Sequence, residues 1–186
     1  MNDAAPIPRF PPLATDLLRG VPVPLLDMMI ARLVEGTARR HPSLFSRLGP
    51  HAGASFLIDP VDLPFTLLLR PDKAGKRIAV IRRDRAVDWK ARVAGSLAAL
   101  IGLVHGAYDG DALFFSRDLT IEGDTEAVLA LRNAIDDAEI DLSEEVLGML
   151  GVLRQVAERP IRLLLPFAEN ASGVCLARAG GWKSRQ

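Results

Sequence analysis

ALFFSRDLTIEGDTEAVLALRNAIDD, residues 112–137, joins an alternating strand, a Gly-Asp break and an amphipathic helix in one continuous run. Leu113, Phe115, Leu119 and Ile121 fall on one face of the strand half. Phe114, Ser116, Asp118, Thr120 and Glu122 fall on the other, the period of two expected of a half-buried strand. Gly123 ends the strand and Asp124 caps the helix, with Thr125 and Glu126 in the first turn and Val128, Leu131, Ile135 and Ala138 as the core stripe. Arg117 breaks the alternation, because it falls on the apolar face. A charge there is a strand-end group, an interior cation with a partner, or a group aimed at a polar atom in a cavity.

Upstream of this stretch, Ser96 caps an almost wholly apolar helix over 97–105, in which Leu97, Leu100, Ile101 and Val104 share one side and Gly106 provides the stop. Tyr108-Asp-Gly-Asp111 then turns the chain into the strand. Four more strand candidates precede it, at 55–59, 64–70, 77–83 and 87–95, separated by Asp-Pro, Pro-Asp-Lys-Ala-Gly and Arg-Asp-Arg turns. Connections this short predict antiparallel neighbours and a meander. Trp89, Ala91 and Val93 face away from Lys90 and Arg92, as in a sheet with one wet face. A longer helix over 24–40 has Pro24 in its first turn and Leu26, Met29, Ile30, Leu33 and Val34 as its apolar stripe. Arg39 and Arg40 sit near its C-terminus, where the helix dipole favours cations.

The two ends differ from this middle. Residues 1–23 carry prolines at 6, 8, 11, 12 and 22, which remove backbone donors and predict a mostly extended arm with one short turn near Asp16–Arg19. At the other end, Ser143 caps a helix over 143–158 whose apolar side is unusually broad: Val146, Leu147, Met149, Leu150, Val152, Leu153 and Val156. Arg159-Pro160 breaks it before a short apolar segment and a Gly-rich tail. The expected division is an arm (1–23), a domain (24–141) and a C-terminal helical extension and tail (142–186).

With 186 residues, 49% of them hydrophobic and 25% charged, the chain can bury the core of an ordinary soluble domain. Its single cysteine, Cys175, excludes an internal disulfide framework and fits a reducing compartment. No basic segment leads into an apolar run near the N-terminus, and no run reaches the ~18 apolar residues of a spanning helix, so a cytoplasmic protein is expected. Residues 1–100 carry 15 Lys and Arg against 9 Asp and Glu, whereas 101–186 carry 8 against 14. That asymmetry reads first as scattered solvated charge and second as attraction of the first half to an anionic lipid surface or acidic partner.

Motifs that would carry chemistry are missing. There is no G-x-S-x-G elbow for a nucleophilic serine, and His41, His51 and His105 lack metal-ligand spacing. Asp109-Gly-Asp111 resembles half of a calcium loop, but the position that needs a bidentate Glu is Thr120. Neither phosphate-cradling glycine motif occurs, and the basic run Lys73–Arg85 lacks aromatics for base stacking, so no nucleic acid is expected. No catalytic residue and no metal follow from the sequence. What stands out is more broad-faced apolar helix than one small sheet needs to cover. That excess is either ordinary core or the wall of an apolar cavity between sheet and helices.

Leu119-Thr-Ile-Glu-Gly-Asp124, followed by an amphipathic helix and preceded by a short apolar one, resembles the sterol-carrier-protein domain, and the order of elements agrees over roughly 24–141. The longer run 112–126 and the helix PLLDMMIARLVEGTARRHPSLFSRLG (24–49) are similar to a bacterial subgroup, the UbiT accessory factors of oxygen-independent ubiquinone biosynthesis. The resemblance implies an α+β fold: a small, mainly antiparallel five-stranded sheet covered on one face by helices, with an apolar cavity and, here, an added C-terminal helix. It also implies a non-catalytic carrier that shelters or presents an isoprenoid quinone precursor or a phospholipid, with no other cofactor. Partner hydroxylases of the UbiU–UbiV type would supply the chemistry, and contact with an anionic membrane surface would be transient. The expected lining is Leu26, Ile30, Leu33, Phe65, Leu67, Leu97, Leu100, Ile101, Phe115, Leu119, Leu131, Leu150 and Leu153. Arg117 would pair with a carboxylate on a neighbouring strand or meet an anionic headgroup at the cavity mouth. An alternative from another class is an interaction module that docks a partner through the apolar C-terminal helix.

Overall fold

The structure, a computed structural model, describes residues 12–105 and 118–149. Phe56–Pro60 (β1), Phe65–Leu69 (β2), Ile78–Arg82 (β3), Ala91–Gly95 (β4) and Leu119–Gly123 (β5) form a five-stranded sheet in the order β3-β2-β1-β4-β5. The register aligns Phe56 and Ile58 with Leu69 and Leu67, with Ile78 and Val80 beyond them, and with Ala91, Val93 and Ile121 on the other side. One face is therefore a continuous apolar floor. The helices α1 (Pro12–Gly20), α2 (Val23–Arg40), α3 (Ser43–Ser46), α4 (Leu97–Val104), α5 (Thr125–Ala138) and α6 (Leu142–Met149), with a 3-10 turn at Gly49–His51, complete the described elements. Leu44 of α3, Leu100 of α4 and Val128, Leu131 and Ala134 of α5 pack with Phe56, Leu69, Ile78, Val93 and Leu119 of the sheet in the main core. The fold is α+β, as expected.

Local signals behave as read. Ser96 accepts a hydrogen bond from the Ala99 amide (3.1 Å), and Asp124 accepts one from Ala127 (2.9 Å), so both caps stand. Gly123 has φ +80°, and a Cβ there would run into the Lys90 carbonyl oxygen. Glycine is required at this strand end for both reasons.

Three expectations are corrected. The arm is not extended throughout: α1 begins at Pro12, which suits a first helical position because its missing N–H is not needed there. Thr15 ties it down by donating to the Asp62 carbonyl (3.0 Å). The last helix is capped by Asp141 instead of Ser143, through a 3.3 Å bond from the Glu144 amide. The sheet is mixed and not a meander, because β4 pairs parallel to β1 while the other three pairings are antiparallel. Short turns favour hairpins only when the next strand can return beside the last. Here residues 83–90, partly expected as strand, instead carry the chain from β3 back to the far side of β1.

A buried carboxylate holds that crossover. Asp59 points to the face opposite the helices and is only 3% exposed. Its Oδ1 accepts from Arg83 (2.6 Å) and its Oδ2 from Arg92 (2.5 Å), while Arg92 also donates to Glu122 (2.5 Å). Arg83, the first residue of the crossover, further donates to the carbonyls of Leu63 (2.7 Å) and Pro60 (2.5 Å). Burial acts to raise the Asp59 pKa, but the hydrogen bonds from Arg92 and Arg83 outweigh it and hold the carboxyl below its ordinary value.

At the sheet edge, α2 takes the place of a further strand. Asp27 accepts from the Val80 amide of β3 (2.9 Å), and Glu35 accepts from the Arg77 amide (3.0 Å) and guanidinium (2.5 Å). Edge donors that would otherwise recruit another chain are thereby occupied.

Two substitutions test this frame. Asp59→Asn, which leaves two part-buried guanidiniums without their anion, should lower unfolding free energy by about 2 kcal/mol in a urea titration. Gly123→Ala should cost at least about 2 kcal/mol in the same assay, from positive φ and the clash with Lys90.

Candidate functional site

Two apolar clusters lie over the floor of the sheet, and they differ in how completely they are closed. Among the described residues, the larger has 16 that are buried, with 13 partly buried neighbours. The smaller has three buried residues, Leu63, Phe65 and Val80, ringed by six that are only half-buried: Leu18, Val23, Leu26, Ile30, Leu67 and Leu97. It is formed where α1, α2 and the start of α4 meet β2 and β3. An apolar surface left half-wet in this way gains free energy from any apolar group laid over it.

The expected lining residues divide between the two. Leu26, Ile30, Phe65, Leu67 and Leu97 gather in the smaller cluster. Leu100, Leu119 and Leu131 are buried in the larger one, and Ile30 and Leu67 touch both. Leu33 and Ile101 are half-buried and belong to neither. Phe115, Arg117, Leu150 and Leu153 lie outside the described residues, as do the turn at Tyr108–Asp111, Gly106 and the tail beyond Met149. Leu18 is not among the expected lining residues, because a short turn at Asp16–Arg19 in an extended arm gives it no core face; the absence of proline from 13 to 20 is the signal for the helix that does.

Charged groups cluster elsewhere. Glu145 of α6, 4% exposed, accepts from the Thr37 hydroxyl (2.6 Å) and from Arg40 through Nε (3.0 Å) and Nη2, with His41 Nε2 at 3.3 Å. These groups join the C-terminal end of α2 to a helix 108 residues later in the chain. Burial acts to raise the Glu145 pKa, but the bonds from Arg40 and Thr37 outweigh it, so the carboxyl stays below its ordinary value. Of the histidines, His105 is buried, and His51 lies 3.9 Å from Asp124. Among the described residues no three His, Cys, Asp or Glu side chains converge, and no helix is long and apolar enough to cross a membrane.

In the comparison with known families, residues 37–136, which include all five strands, α3, α4 and most of α5, match the model of the SCP-2 sterol transfer family. The chain belongs to this family. The SCP-2 match begins at Thr37, near the end of α2, and stops at Asp136 in α5, so α1, most of α2 and α6 lie outside it. A UbiJ-SCP2 ubiquinone synthesis protein of known structure has a similar fold, with a TM-score of 0.52 at 22% identity over 64% of this chain and 96% of the other. Sterol carrier protein 2 of Yarrowia lipolytica in its apo form matches at TM-score 0.40 and 15% identity, over 58% of this chain and 87% of that one. The sterol carrier protein domain 2 of Helicoverpa armigera matches at 0.42 and 13%, over 60% and 84%. No curated protein matches the chain at a significant level.

The Glu145 contacts, which tie α6 to Thr37, Arg40 and His41 at the start of the SCP-2 match, set a pH dependence. Because the folded pKa is depressed, the docking of α6 is strongest above the ordinary value of 4.5 and weakens as pH falls through and below it. Amide-exchange protection over 142–149 should therefore drop on acidification. In Glu145→Gln it should already be low at neutral pH and change less; equal acid sensitivity in the two proteins would contradict the assignment.

Proposed function

We propose that this protein is a non-catalytic lipid carrier, an accessory factor in oxygen-independent ubiquinone biosynthesis that shelters or presents an isoprenoid quinone precursor or a phospholipid. The observation that carries this reading is the half-closed apolar cluster around Phe65, in a chain of the SCP-2 family. An isoprenoid or acyl chain laid against Leu26, Ile30, Leu67 and Leu97 would contribute roughly 0.8 kcal/mol per buried CH₂, so a chain of modest length supplies useful affinity without polar contacts. The likeness to a ubiquinone synthesis protein and the resemblance of 24–49 and 112–126 to UbiT factors favour a quinone precursor as cargo. The chemistry on that cargo would belong to partner hydroxylases of the UbiU–UbiV type, in the cytoplasm or in transient contact with an anionic membrane surface.

Native mass spectrometry of the gently purified full chain should show a lipid-sized adduct, and extraction should return an isoprenoid quinone precursor or a phospholipid. Leu26→Glu with Leu97→Glu places two charges on half-buried apolar positions, and adduct occupancy should fall about tenfold or more while the fold persists. A wild-type protein that carries no lipid would sink the reading.

A further inference from the structure

The outer side of α2 borders a groove that the apolar clusters do not use. It encloses about 600 Å³ between α2, the turn from β2 to β3 and α6. Four cations, Arg32, Arg39, Arg40 and Lys76, and two carboxylates, Asp27 and Glu35, line it; the rest of its lining is apolar or glycine. Six of its eleven lining residues precede the family-matched region 37–136, whereas Arg39, Arg40, Gly75 and Lys76 lie within it.

Its carboxylates are already occupied. Asp27 accepts from the Val80 amide (2.9 Å) and from Lys76 (3.0 Å), and Glu35 accepts from the amide and guanidinium of Arg77. Arg40 gives Nε and Nη2 to Glu145, which leaves its Nη1 in the gap where Gly36 and Gly148 have no side chains. By contrast, Arg32 and Arg39 are exposed and make no hydrogen bond or ion pair with any described residue. Among the described residues, the groove cations that have no anionic partner are these two. They are seven residues apart, two turns or about 10 Å along the axis, on one face of the helix with Gly36 between them. From either end their side chains can converge on an anion held above the glycine, beside Arg40 Nη1. Guanidinium forks match the oxygens of a phosphate better than those of a diffuse anion. Toward the N-terminal end the groove becomes apolar at Ala31 and Met28, and Met28 is 51% exposed.

We propose that this groove binds a phosphate-bearing ligand, its oxygens held by Arg32, Arg39 and Arg40 Nη1 and any attached alkyl chain lying toward Met28. The source of the phosphate is a lipid headgroup or a soluble phosphate. The site is separate from the interior apolar cluster and does not depend on the carrier reading.

The full chain is titrated calorimetrically with inorganic phosphate, with dihexanoyl phosphatidic acid below its micelle-forming concentration, and with dihexanoyl phosphatidylcholine. The same titrations are run on Arg32→Gln/Arg39→Gln, whose two positions are exposed and whose folding is checked by thermal melting. Phosphatidic acid should bind the wild type about tenfold or more tightly than phosphatidylcholine, and the double variant should lose that difference. Phosphatidic acid binding more tightly than inorganic phosphate identifies a headgroup as the source, and equal binding identifies a soluble phosphate. Absence of binding by both, equal binding of the two lipids, or an unchanged double variant overturns the proposal. Co-purified lipid, measured on the same preparations, should be equal in the two proteins. Its absence from both would strike the carrier reading alone.

Discussion

The carboxylate of Asp59 holds together the part of this fold that short-range patterning cannot specify. It is a β1 residue, yet its two oxygens are taken by Arg83 from the crossover and Arg92 from β4. Without that anion, the connection from β3 would have few reasons to pass over the sheet, and β4 would lose the ionic link that accompanies its parallel pairing with β1. Burying a charge is unfavourable unless it is matched on several sides, and here it is matched by two guanidiniums that retain partial access to water. The arrangement fixes where β4 and β5 lie, and with them the apolar floor on the opposite face.

On that floor, α2 has three tasks that its sequence divides by face. Ile30 and Val34 pack toward the core, Asp27 accepts from the Val80 amide of β3 and Glu35 from the Arg77 amide just before that strand, and Arg32 and Arg39 remain in water. A helix that covers a sheet edge as well as a sheet face is held from two directions. At its N-terminal half, Leu26 and Ile30 meet α1 and the Phe65 cluster.

The family match begins only at Thr37, so both the half-closed cluster and the α2–α6 contact draw on residues outside the matched span. Thr37 and Arg40 are where the two parts join, through a carboxylate that lies 108 positions from Thr37. Gly36 and Gly148 leave room there for the Arg40 guanidinium between the helices.

Period and capping made much of the molecule readable in advance. Alternation at 119–122 and 91–93, the caps at Ser96 and Asp124 and the glycine at 123 each depend on a few neighbouring residues, so these elements could be taken from the chain directly. Five of the expected lining residues, Leu26, Ile30, Phe65, Leu67 and Leu97, gathered in one cluster because each was already an apolar position on a correctly placed element. Asp59, set within the strand FLIDP, was visible as an acid among apolar residues, but its partners were not, since Arg83 and Arg92 are only two of nine cations between 70 and 92. The parallel pairing of β1 with β4, the docking of α1 and the Thr37–Glu145–Arg40 cluster waited on the folded chain. Each depends on groups distant in sequence that meet only after collapse, where competition among many possible partners is settled by burial and geometry, not by local pattern.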